Sequence, residues 1–135
     1  MKNHTIILVV SVLLCSCNFS TTSVKNPEFT LPTTTISQKI KILASYEEIY
    51  YQSEKKDVNG VKSATMIVKI INATNIPTRT DAINTVAIQI ARLLKQDLKD
   101  LNEYDSYRVI FESHEQTSNG SYDFTSTHNF KKGEL

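Results

Sequence analysis

The chain has no tryptophan, two cysteines, three glycines, three prolines and three histidines in 135 residues. Three glycines cannot build a glycine-rich loop around a phosphate or dinucleotide. Two of them, Gly60 and Gly120, each follow an asparagine, a pairing that belongs to turns. No Gly-x-Ser-x-Gly elbow and no zinc-ligand spacing occurs. His4 lies in the N-terminal segment, which leaves His114 and His128 for the rest of the chain. In Glu112-Ser113-His114-Glu115 the serine and histidine are adjacent. On a strand they point to opposite faces and cannot form a nucleophile–base pair. Charge of one sign is lacking too. Fifteen basic residues face fourteen acidic ones, without the basic cluster that marks a nucleic-acid surface. These absences exclude the common catalytic constellations. They lead us to expect a non-enzymatic protein with no cofactor, no metal and no nucleic-acid partner.

What is present begins with a processing signal. Lys2 precedes an apolar run, Ile6 to Leu14, that is short for a membrane span and of the length of a signal-peptide core. The residues Leu14-Cys15-Ser16-Cys17 resemble the lipobox of bacterial lipoproteins, with Leu14 three places before Cys17 and the small Ser16 just before it. Cys15 has the bulky Leu14 in the small-residue place, so Cys17 is the better match. The resemblance covers about the first seventeen residues. It implies cleavage before Cys17, diacylglycerol on its sulfur and a lipid-anchored protein of the cell envelope. Cys15 leaves with the signal and Cys17 is alkylated, so no thiol remains for a disulfide or a metal. The residue after Cys17 is Asn18, not the aspartate of inner-membrane retention, which favours the outer membrane in a diderm host. Residues 1–16 are then the signal peptide. Residues 17–37, rich in Thr, Ser, Asn and Pro, are expected to be a lipidated flexible tether. Residues 38–135 form the expected α+β domain.

Within that domain the periodicity gives two hairpins and a helix. Tyr46 to Asp57 and Val61 to Asn72 flank Asn59-Gly60, the strongest short hairpin signal. A two-residue turn there pairs Val58 with Val61, Ser53 with Met66, Tyr51 with Val68 and Ile49 with Ile70. After the break at Pro77, Thr80 is a plausible N-cap. Ile83, Ala87, Ile90, Leu94, Leu98 and Leu101 then recur at helical spacing. Tyr107 to Thr117 and Ser121 to Phe130 flank Asn119-Gly120, and the same turn rule pairs Val109 with Phe130 and Phe111 with His128. The predicted fold is α+β, ββαββ: a four-stranded sheet with one long helix packed on one face. Residues 36–43 are left open between a helical turn and the lead-in to a strand. The strand order 1-2-3-4, with the helix as a crossover, follows from the apolar run Met66 to Ile71, and the fully antiparallel 2-1-3-4 is the alternative.

Function is sought on the face the helix leaves open. Tyr50, Ile67, Ile71 and Ile110 point there, mixed with Glu48, Lys69, Arg108 and Glu112, and a solvated face would be more polar. These four apolar residues are the candidate surface for a protein partner or a homodimer. A metal site at Glu112, His114 and Asp123 is weighed and set aside, because one histidine on a flat sheet gives no enclosed ligand set. The alternative reading is a periplasmic inhibitor or protective protein acting through the loop from Asn72 to Arg79. An enzyme with an unrecognised site ranks below both.

Overall fold

The computed structural model describes residues 19–135. The signal segment and Cys17 lie outside the described residues. The architecture is a five-stranded mixed sheet with two helices, in the order β1 (Ser20–Lys25), α1 (Thr33–Leu43), β2 (Glu48–Val58), β3 (Val61–Ile71), α2 (Thr80–Asp97), β4 (Ser106–Thr117) and β5 (Gly120–Lys131). A single 3₁₀ turn, Lys132–Glu134, follows. The expectation of four strands and one helix is therefore corrected. The two added elements fall largely within residues 17–37, the stretch expected to be a tether. The strands lie in the order β1-β2-β3-β4-β5, antiparallel except for the parallel pair β3–β4 bridged by α2.

The first hairpin has the register expected from its turn. Val58 pairs with Val61, Ser53 with Met66 and Ile49 with Ile70. Asn59 (φ 53°) and Gly60 (φ 85°) both sit at positive φ, as a type I′ turn requires. The second hairpin differs. Thr117 pairs with Gly120, and the turn residues are Ser118 and Asn119, with Gly120 at φ 142° as the first residue of β5. Val109 therefore pairs with His128 and Tyr107 with Phe130. The shift is two residues, which preserves the face of every side chain because the strand period is two.

Two helices are needed because the sheet is wide. Five strands about 4.8 Å apart span roughly 20 Å, twice the width of one helix. The stripe Ile83, Ala87, Ile90 and Leu94 of α2 is buried together with Ile36 and Ile40 of α1, over Met66, Val68 and Ile70 of β3 and Val109 and Phe111 of β4. Each fully buried Ile, Leu or Phe contributes roughly 1.5–3 kcal/mol. Lys39 on α1 reaches Asp97 on α2 at 2.8 Å and ties the helices together. Helix α2 ends at Asp97, so Leu98 caps it. Leu101 lies beyond it and is exposed, against the expectation of a longer stripe. Thr80 is the first helical residue, not the cap. Arg79 holds that place, and no side chain bonds the N-terminus.

β1 is fully exposed and carries no apolar alternation. Its backbone completes the free edge of β2, from Ser20 opposite Val58 to Lys25 opposite Ser53. Lys25 and Lys55, neighbours across this pair, both bind Glu103 at 2.9 Å. At the other end, β4 and β5 run past the helices. Tyr122 and Phe124 share a sheet face with buried His128 and Phe130, yet both are exposed. Strand alternation alone would place them in the core.

The register also fixes direction. The β2–β3 turn and the β4–β5 turn lie at opposite ends of the sheet, because β3 and β4 are parallel and each turn sits where its strand starts or stops.

Candidate functional site

Both helices pack on one face of the sheet, and no described element covers the other. On that open face β2 contributes Glu48, Tyr50, Gln52 and Glu54. The alternation of β3 adds Ile67, Lys69 and Ile71, and that of β4 adds Arg108, Ile110 and Glu112. Together they line a shallow concavity of about 820 Å³. All four residues singled out in the sequence, Tyr50, Ile67, Ile71 and Ile110, line it. They do not play equal parts. Tyr50 is exposed, Ile71 and Ile110 are half-buried, and Ile67 is only 6% accessible. Ile67 stands between Gln52 of β2 and Arg108 of β4, whose longer side chains flank it. It forms the floor of the concavity.

Electrostatics shape the rim. Lys69 binds Glu112 at 2.8 Å, and Arg108 donates from Nε to Asn129 Oδ1 at 2.9 Å. The Tyr50 hydroxyl donates to the carboxylate of Glu48. That bond, and the negative charge behind it, raise the tyrosine's pKa. Asn72, at φ 50°, donates to Glu47 and accepts from the His114 amide, so the start of the 72–79 loop is pinned at the end of the concavity. Glu47, Glu48, Glu54 and Glu112 bring four carboxylates to the lining, against the cations Lys69 and Arg108 and against His114, whose pKa is raised; Glu54 is also paired with Lys56. The lining is thus apolar at its base and negative at its edge.

The histidines are placed apart. His114 pairs with Asp123 at 2.8 Å on the open face, and the bond to that carboxylate raises its pKa. Glu112, weighed with these two as a metal ligand, is turned to Lys69 instead. His128 lies under the helices. Its Nδ1–H donates to Asn84 Oδ1 at 3.0 Å, Nε2 accepts from the Ser126 hydroxyl at 2.8 Å, and its ring meets Phe111 edge-on. Burial lowers its pKa, and this network suits the neutral ring. It serves packing between α2 and β5. Ser113 is on the helix face and His114 on the open face, so the two do not meet.

A second concavity, of about 620 Å³, was not anticipated. It opens beside α1 and is lined by Phe29, Ser37, Tyr46 and Tyr51 among others. Two tyrosines converge on Ser37: the Tyr51 and Ser37 hydroxyls share a bond at 2.9 Å, and the Tyr46 hydroxyl donates to the Ser37 carbonyl at 2.8 Å. Burial pushes the Tyr51 hydroxyl up to about 12. Nothing in the sequence pointed to this concavity, because it depends on α1 meeting β2. Asn26, Thr33, Thr34 and Gln38 also line it. Among the described residues, no group of three or more metal-binding side chains is gathered, and no helix is long and apolar enough to cross a membrane.

No protein-family model, curated protein or solved structure matches the chain.

Proposed function

We propose that this chain is a bacterial lipoprotein, held to the cell envelope by lipid on Cys17, whose domain binds a protein partner on the open face of its sheet and performs no catalysis. The observation that carries the binding role is the concavity over Tyr50, Ile67, Ile71 and Ile110. It is the broad apolar-based depression that neither helix fills. The excess of carboxylates around it suits a partner segment that presents apolar side chains flanked by Lys or Arg. Apolar area buried there contributes roughly 25 cal/mol per Å² before the costs of association. The His114–Asp123 pair is solvent-exposed and adjoins no enclosed pocket, so it offers a catalyst little.

Two measurements test this. Metabolic acyl labelling is expected to mark the wild-type protein and to be lost in Cys17→Ala, and a fully labelled variant refutes the anchor. A photo-crosslinker replacing the exposed Tyr50 is expected to give one defined adduct in intact cells. Ile110→Lys, at the half-buried neighbour across the concavity, should abolish that adduct while circular dichroism stays unchanged. An adduct unaffected by Ile110→Lys, or none at all, removes the open face as the docking surface.

A further inference from the structure

The two hairpin tips differ in chemistry. The β4–β5 tip reads Thr117-Ser118-Asn119-Gly120-Ser121, polar throughout. The β2–β3 tip is flanked by Val58 and Val61, which pair directly across the turn and are 42% and 72% exposed. Phe19, 73% exposed, sits beside the same turn. Its backbone is locked to the turn from both sides: Phe19 N–H donates to Asn59 Oδ1 at 3.2 Å, and Asn59 N–H donates to the Phe19 carbonyl at 3.0 Å. Exposed apolar side chains therefore reach the very end of the β2–β3 hairpin, whereas the exposed Tyr122 and Phe124 of β5 lie behind a polar β4–β5 turn. Isolated exposed valines are ordinary, but two paired valines and a phenylalanine fixed at one hairpin tip can all meet one surface laid across that tip.

The position of Cys17 says what that patch meets. Cys17 precedes Phe19 by two residues, and two residues span at most about 7 Å. With β1 formed from Ser20, no twenty-residue tether separates lipid and domain. An acylated Cys17 brings the β2–β3 tip to the bilayer surface. The charges nearest the tip are balanced: Lys56 is held by Glu54 at 3.2 Å, and Lys62 stands across the hairpin from Asp57. The patch thus matches the apolar–polar boundary of a lipid surface, without a requirement for anionic headgroups.

We infer that Phe19, Val58 and Val61 form a second membrane contact, seating the β2–β3 tip in the interface of the bilayer that holds the lipidated Cys17. The inference rests on the lipid anchor proposed above. It orients the domain with its strands rising from the membrane. At about 3.3 Å per residue, Ile67 then stands roughly 20 Å above the tip and Ile71 roughly 33 Å, so the docking face is lifted clear of the headgroups. The β4–β5 tip points away from the membrane.

The test uses the full, processed lipoprotein reconstituted in phosphatidylcholine vesicles. Processing leaves no free thiol, so Val61→Cys and, separately, Asn119→Cys each introduce a single site for an environment-sensitive fluorophore. Both positions are exposed, and circular dichroism checks that each variant is folded. Nitroxide-labelled lipid is expected to quench the probe at position 61 at least about three-fold more than at 119, as a contact buried a few Å in the interface demands. The ratio should not change when phosphatidylglycerol is added or salt is raised. Equal quenching at the two tips, in protein shown by mass to be acylated, overturns the seated tip and leaves the anchor standing. Quenching that appears only with phosphatidylglycerol also overturns it, in favour of charge-driven contact. Protein that carries no acyl chain brings down the anchor and the inference together.

Discussion

Alanine at Gly60 isolates the backbone cost of the first turn. Gly60 sits at φ 85° and a Cβ built there meets nothing within 4 Å. Gly133, near the C-terminus, has the same open space but an ordinary φ. Neither substitution creates a clash, and both remove about the same freedom from the unfolded chain, a gain to stability of about 0.4–1 kcal/mol. What remains is the strain of an L-residue in the left-handed region, about 1–2 kcal/mol, and it falls on Gly60 alone. Gly60→Ala is therefore expected to be less stable than Gly133→Ala by about 1–2 kcal/mol, whatever the unfolded state contributes. For a domain of this size that is a difference in Tm of about 3–12 °C. Urea unfolding of wild type and both variants measures it, with equal m-values required for the comparison. Gly120, at φ 142° with open space around it, should behave like Gly60. If Gly60→Ala and Gly133→Ala agree within about 0.3 kcal/mol, the turn does not impose the positive φ described here and the hairpin register loses its basis.

Two further outcomes follow from buried polar groups. The Tyr107 hydroxyl is buried with no hydrogen-bond partner among the described residues, and burial pushes its pKa up to about 12. Tyr107→Phe should therefore be neutral or stabilising by up to about 1 kcal/mol in urea unfolding, and a loss above about 1 kcal/mol would reveal a bond this geometry lacks. His128 is shifted below its usual 6.5 by burial, so its contribution to stability is full above that value and is lost as pH falls through the lower folded value. His114 is shifted upward by Asp123, so its contribution is full below 6.5 and is lost as pH rises through its folded value. Denaturation midpoints from pH 8 to pH 5 should show a weaker acid-side loss in His128→Gln than in wild type. Parallel curves would mean that His128 is not buried neutral.

The sequence alone determined the parts that rest on local chemistry. Asn59-Gly60 set the β2–β3 register, because both residues readily take the positive φ of a type I′ turn, which joins the strands in two residues. The spacing from Ile83 to Leu94 set the buried stripe of α2. Alternation placed Tyr50, Ile67, Ile71 and Ile110 on one face, and even a two-residue slip in the second hairpin left face assignments intact, since parity survives it. Tertiary structure decided the rest. Ser20–Lys25 carries no apolar pattern. It is a strand because the edge of β2 offers unpaired backbone groups, and that edge exists only once β2 and β3 have folded. Ile36 and Ile40 alone do not announce a helix, and α1 is held by the part of the sheet that α2 is too narrow to cover. Tyr122 and Phe124 have the parity of core residues, yet they are exposed because β4 and β5 outrun both helices, a matter of relative element length that no strand records about itself. The nearness of Phe19 to the β2–β3 turn has the same origin: residues 19 and 59 are neighbours only because β1 closes onto β2.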